Sequence, residues 1–208
     1  MMCSSTYLAK HCACRTKMDI LVDGRLKYFR EQHVKKVSHV VEVVEMEADG
    51  AGTAKFAVLG EAVSLKGIRQ KSMLHALRSG RCADGAFITF DENGAHLHLV
   101  ELKSSLTIGK WLQAIEQFCG MYFVASAISH LLGYSNFFSI TCYLALDEDK
   151  ITNGISSSPV FLKTLTGGKE TLGDVESWAK NVVPLPFDKA PLKTGIRING
   201  NVDFGLVG

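Results

Sequence analysis

Two strand-like runs on either side of Asp91-Glu92-Asn93-Gly94 constrain this chain more than any other feature. The runs are Cys82 to Asp91, CADGAFITFD, and Ala95 to Lys103, AHLHLVELK. Asn-Gly is a strong two-residue hairpin signal, because both central residues of a type I′ turn need φ > 0. With Asn93-Gly94 as the loop, Glu92 faces Ala95, Phe90 faces Leu97, Ile88 faces Leu99, Ala86 faces Glu101 and Asp84 faces Lys103. Directly opposed residues point to the same side of a sheet. One face of the hairpin therefore carries Phe90, Ile88, Leu97 and Leu99 near the turn, and Asp84, Glu101 and Lys103 at the far end.

The rest of the chain supplies a frame for this hairpin. Val37 to Met46 is β-branched and reads as a strand, with a turn at Ala48 to Thr53 and a second strand at Lys55 to Leu59. Leu26 to Val34 reads as a short basic helix, and Val63 to Leu77 as another helix. Thr107 to Leu132 is apolar on several sides, as a helix packed between a sheet and other elements should be. Phe137 to Leu146 reads as a buried strand. Past Asp147 come loops rich in Gly, Ser and Pro, a short helix from a capping box at Thr171, and a last strand at Leu192 to Ile198. This order predicts an α/β or α+β domain: a central mixed β-sheet containing an antiparallel hairpin and flanked by helices. Residues 1–18 are expected to be a flexible segment, and residues 19–208 one domain with a core at about 55–147 and a C-terminal extension at 148–208.

Composition narrows the class. A chain of 208 residues with 47% hydrophobic and 21% charged residues is not mostly disordered. A fold of this size buries about 70% of its unfolded surface and needs no disulfide or metal staple. The 23 Lys and Arg against 21 Asp and Glu neither establish nor exclude a nucleic-acid partner. The most apolar stretch, Phe118 to Ile128, is too short for a membrane span of about 20 residues. Six cysteines lack a framework pattern. An intracellular, reduced protein without a membrane partner is expected.

Charge at the end of an apolar strand face is unusual, since burying unpaired charge costs several kcal/mol. Asp84 and Glu101 leaning inward could share a divalent cation, and Mg²⁺ takes one or two carboxylates plus waters and phosphate oxygens. Lys103 beside them could orient a water or neutralise charge on a phosphate. The same three charges also suit an Asp84–Lys103 ion pair reaching solvent at a strand end. A second Glu-x-Lys, Glu148-Asp149-Lys150, lacks a hairpin-paired Asp and reads as a solvated loop.

At these residues the sequence resembles the PD-(D/E)XK nuclease superfamily, which has the restriction-endonuclease-like fold. Asp84 is followed, after sixteen intervening residues, by Glu101-Leu102-Lys103, and the long helix and strand after the hairpin match the family's order. The resemblance covers about Val63 to Leu146, and Ala83 stands where many members have Pro. It implies a metal-dependent nuclease that hydrolyses phosphodiester bonds, in DNA more often than RNA. Asp84 and Glu101 would bind Mg²⁺ or Mn²⁺, and Lys103 would serve the attacking water or the transition state. An upstream acid would complete the ligands: Glu61 is the candidate, with Glu42, Glu45 and Glu47 also available. One branch of the family carries Gln and Tyr four residues apart on the following helix, whereas Gln117 and Tyr122 are five apart. The alternative function is a nuclease-fold protein that no longer cuts and serves as a nucleic-acid-binding or assembly module, and a homodimer is compatible with either.

Further residues could assist. Lys110, Gln113 and Gln117 fall at i, i+3 and i+7, one stripe of the long helix. The resemblance implies that this helix packs beside the hairpin's active end, with Gln117 beside the catalytic group and Lys110 and Gln113 near phosphate or a water; a solvent edge of the helix suits Lys110 equally. Arg78 and Arg81 flank Ser79-Gly80 just before Asp84 and suit backbone phosphates, or equally a solvated turn. His96 and His98 share the other hairpin face, where a solvated or helix-covered strand face is a better reading than a zinc site.

Overall fold

The computed structural model describes residues 34–46, 52–67, 81–131, 136–152, 176–187 and 189–207. The expectations for residues 1–33, the turn at 48–51, residues 68–77 of the expected helix, Arg78 and the Thr171 capping box lie outside the described residues.

The chain forms a mixed α+β fold around one eight-stranded sheet. Its strands are β1 (Val34–Val44), β2 (Thr53–Lys66), β3 (Gly85–Phe90), β4 (Ala95–Leu106), β5 (Ser139–Asp149), β6 (Val182–Pro184), β7 (Lys189–Ile196) and β8 (Asn201–Val207), with one long helix, α1 (Ile108–Leu131), between β4 and β5. The order across the sheet is β1-β2-β3-β4-β5-β7-β6, and β8 pairs with β2. Strands β1 to β4 form an antiparallel meander, while β5 runs parallel to β4 and β7 parallel to β5. The parallel pairing of β4 and β5 requires a crossover, and α1 supplies it.

The helix starts where Thr107 caps it: the Thr107 carbonyl accepts Trp111 N at 2.8 Å and its Oγ1 accepts Lys110 N at 3.3 Å. Trp111, Ala114, Phe118, Met121, Ala125 and Ile128 form its buried stripe against Ala86, Ile88, Leu97, Leu99, Leu144 and Leu146. A Cβ at Gly120 would overlap the carbonyl oxygen of Arg81, so this glycine lets α1 approach the segment that leads into β3. The Gln117 carbonyl accepts Ala83 N there at 3.0 Å. Trp111 also donates to Ser177 Oγ at 3.1 Å and meets Trp178 edge-on at 5.3 Å. Among the described residues no helix is long and apolar enough to cross a membrane.

The other sheet face is covered by strands. The β1–β2 ladder shifts register between Ser38 and Val40, where His39 and Gly60 have φ of 66° and 83°. The first half of β2 thereby folds over the sheet, and Phe56 meets Phe87 at 4.8 Å, Tyr143 at 4.9 Å and Phe204 of β8 at 5.1 Å.

Several boundaries differ from expectation. Val63 to Lys66, expected to open a helix, instead end β2 and pair with Gly85 to Ile88 of β3. Their apolar-polar alternation serves the sheet once β3 is beside them. Strands β6 and β8 had no clear sequence signal, and both join the sheet together with β7. The hairpin closes on four residues: Phe90 pairs with Ala95, and Asp91 N donates to the Gly94 carbonyl at 3.1 Å. Asp91 Oδ1 accepts the N–H groups of Asn93 and Gly94 at 2.7 and 3.1 Å, and this side-chain-built turn displaces the two-residue type I′ turn.

Candidate functional site

The true hairpin register pairs Gly85 with Val100 and Ala86 with Leu99, two residues away from the expected register. A shift of two preserves side-chain direction. It also brings Glu101, rather than Lys103, across from Asp84. Asp84, Glu101 and Lys103 thus share the helix-covered face, at the end of the hairpin away from its turn. They are 3%, 1% and 4% exposed.

Their hydrogen bonds form one connected group. Asp84 Oδ2 accepts Leu102 N at 2.8 Å and Oδ1 accepts Met46 N at 2.8 Å. Asp84 N donates to Glu101 Oε2 at 3.1 Å, and Lys103 Nζ lies 2.6 Å from Glu101 Oε1. In place of the alternative Asp84–Lys103 ion pair stands Glu101–Lys103, because residues two apart on one strand lean over the same surface. Burial pushes the Asp84 pKa up to about 6, against the N–H groups of Met46 and Leu102 and the Lys103 charge, while Glu45 adds to the rise. Burial, and then the Asp84 charge, push Glu101 up to about 8 despite Lys103.

The remaining sequence candidates divide. Gln117 is buried on α1, its carbonyl on Ala83 N beside Asp84, and its side-chain Oε1 has no hydrogen-bond partner. Lys110 is half-buried, with Nζ donating to Ser105 Oγ at 2.8 Å, and Gln113 is half-buried on the same helix. Arg81 lies on the surface and pairs with Glu116 of α1 at 2.7 Å. Glu61 does not join the site. It pairs with Lys36 at 2.5 Å and stands across from Ser38 in the β1–β2 ladder. Gly67, six residues further on, is the residue whose N–H reaches the Asp84 carbonyl, at 2.9 Å. At about 3.3 Å per strand residue Glu61 is thus about 20 Å from Asp84. Among the described residues the upstream acid near Asp84 is Glu45, which the sequence offered only as one of several acids. Glu148 and Lys150 form an exposed pair at 3.2 Å at the C-terminal end of β5, with Glu148 inside the strand rather than in a loop.

The other hairpin face carries His96 and His98, both buried. His98 Nε2 is 2.9 Å from Thr89 Oγ1, its ring stacks on Phe87 at 4.4 Å, and burial lowers its pKa to about 3. His96 lies between Ser139 Oγ at 2.7 Å and Asp91 Oδ1 at 2.9 Å.

Among the described residues no three His, Cys, Asp or Glu side chains gather as a metal-binding group. The carboxylates of Asp84 and Glu101 lie in one hydrogen-bonded group. An ionised carboxylate has about four lone-pair positions. Asp84 uses two on N–H groups, and Glu101 uses one on an N–H and one on Lys103. The rest are hard oxygen donors, a type that suits Mg²⁺ or Mn²⁺ rather than a soft metal. Compared with protein-family models, with curated proteins and with solved structures, the chain matches none.

Proposed function

We propose that this chain is a metal-dependent nuclease with a restriction-endonuclease-like core, acting on phosphodiester bonds, with DNA the preferred substrate. The observation that carries this reading is the junction of Asp84, Glu101 and Lys103 on one buried sheet face, with both acids held above their ordinary pKa. Perturbed acids beside a fixed cation are a recurrent feature of functional sites. The antiparallel β2-β3-β4 meander followed by α1 and a β5 parallel to β4 supports it, since the resemblance implies that order.

In this reading Asp84 is a rigid oxygen donor, its carboxylate aimed by N–H groups from two different segments. Glu101 is the second donor, kept in one rotamer by Asp84 N and Lys103. A bound Mg²⁺ or Mn²⁺ supplies Lewis acidity toward the phosphate and lowers the pKa of a water. Lys103 then presents an ammonium to charge that grows on the phosphate oxygens. Gln117 offers a neutral acceptor beside the same segment.

One observation favours a second reading, a non-cutting binding or assembly module: all three side chains are nearly inaccessible and already internally partnered. Cleavage assays with Mg²⁺ and with Mn²⁺ on single-stranded, duplex and branched DNA and on RNA separate the two. Metal-dependent products absent from Asp84→Asn protein support the nuclease. No products on any substrate with either metal would leave the module.

A further inference from the structure

Asp84 is oriented by two N–H groups of unlike origin. Leu102 N belongs to β4, which ladders to both β3 and β5 make rigid. Met46 lies beyond the last β1 residue, Val44, so no ladder fixes its N–H. Its neighbour Glu45 is what is fixed. Glu45 N donates to the Gly52 carbonyl at 2.8 Å, and its carboxylate accepts Arg197 Nη1 at 2.6 Å. Those side chains are 2% exposed for Arg197 and 6% for Glu45. Arg197 is itself clamped at the end of β5. Its Nε and Nη2 reach the two oxygens of Asp147 at 2.9 and 2.8 Å, and its main-chain N–H donates to the Leu146 carbonyl at 2.6 Å. A Cβ on Gly52 would overlap Arg197 Nη1 and stand 2.7 Å from Glu45 Oε2, so the pair is built against a bare backbone.

We propose that Arg197 is a positioning residue for Asp84: by gripping Glu45 it aims the Met46 N–H at Asp84 Oδ1 and sets the direction in which that carboxylate faces a cation. The inference rests on the metal-ligand reading of Asp84 and extends it to a residue 152 positions from Glu45. Arg197 does not touch the reacting atoms. The fork of a guanidinium, held on both sides, transmits position where an ammonium would transmit only charge.

The test uses the full chain as wild type, Arg197→Met, Arg197→Lys and Gly52→Ala. Two readouts are taken: the Met46 and Leu102 amide resonances with their hydrogen exchange in metal-free protein, and Mn²⁺ affinity by calorimetry. Arg197→Met should move the Met46 amide upfield and speed its exchange at least about 10-fold, with Leu102 unchanged. Mn²⁺ affinity should fall about 10-fold or more, the scale for partners that orient a ligand. Arg197→Lys should recover only part of either. If Arg197→Met does not fold, Gly52→Ala carries the test, since it keeps both charges and displaces the guanidinium. An unchanged Met46 amide in a folded variant, or equal loss of protection at Met46 and Leu102, overturns the inference. Wild type that binds no Mn²⁺ overturns the metal reading instead, and the Met46 amide alone then decides the positioning.

Discussion

The main-chain N–H of Asp84 donates to Glu101 Oε2 at 3.1 Å, joining the two acids across the β3–β4 hairpin within one buried group. The Asp84 charge thereby raises the cost of ionising Glu101, with Lys103 as the nearby cation that offsets it. Four measurements follow from that arrangement and its supports.

Stability of the metal-free protein should fall as pH rises from 6.5 to 8. Glu101 moves from 4.5 unfolded to about 8 folded, so the native state holds a proton that the unfolded chain has lost. Its contribution is full below about 4.5 and disappears as pH passes 8. Asp84 acts the same way between 3.8 and about 6, where the shift corresponds to about 3 kcal/mol. His98 opposes both below 6.5, because its depressed pKa of about 3 makes the unfolded state the better proton binder there. The clean window is therefore 6.5 to 8. Thermal melts across it should show a fall in wild type and almost none in Glu101→Gln. A flat wild-type profile would remove the coupled-acid description.

Added Mn²⁺ or Mg²⁺ should reverse that loss. A cation that binds only the native state at 100 times its Kd stabilises by about 2.7 kcal/mol. The rise in Tm should be larger at pH 8 than at pH 5.5, where protons compete for both acids, and binding at pH 7 should release protons. Melts with and without metal, and calorimetry in buffers of different ionisation enthalpy, check both. Equal shifts at the two pH values would mean the cation binds elsewhere.

Lys103→Met tests the cation. Removing one partner of a buried pair costs about 3–5 kcal/mol because the other charge stays buried. The loss should therefore be large at pH 8.5 and small at pH 5, where Glu101 is protonated in the folded state. Cleavage should fall about 100-fold or more if Lys103 meets charge on the phosphate. Urea unfolding at the two pH values and single-turnover cleavage measure the two effects separately. Equal destabilisation at both would show that Lys103 contributes by packing alone.

Gly120→Ala and Gly109→Ala should behave oppositely on one helix. A methyl at Gly120 would overlap the Arg81 carbonyl oxygen, which is backbone and cannot swing away, so a cost of about 1–3 kcal/mol is expected. Gly109 has nothing within 4 Å, and alanine there should stabilise by about 0.5–1 kcal/mol through helix propensity. Denaturant midpoints of the two variants give the comparison. A neutral Gly120→Ala would mean that α1 does not press on the segment before Asp84.

Some of this was written along the chain. Alternation in Ala95 to Lys103 placed Leu97, Leu99, Glu101 and Lys103 on one face, and the four-residue turn kept that parity because it moved the register by two. The Asp91 side chain decided the turn, a local competition that the Asn-Gly pair alone obscured. The long helix from Thr107 was likewise legible, since its apolar run lies within one stretch of chain. Other features were not local. Val63 to Lys66 follow β3, whose ladder outweighs their helical potential. Glu61 was displaced because the bulge near His39 and the length of β2 put it at the wrong end of the sheet. Glu45 and Arg197 meet only after the sheet closes, being 152 residues apart. The sequence by itself determined which residues alternate, cap and turn, because those depend on neighbours in the chain. The tertiary structure alone decided how deeply Asp84, Glu101 and Lys103 are buried and which N–H groups aim them, because burial and dielectric come from elements far away in the chain.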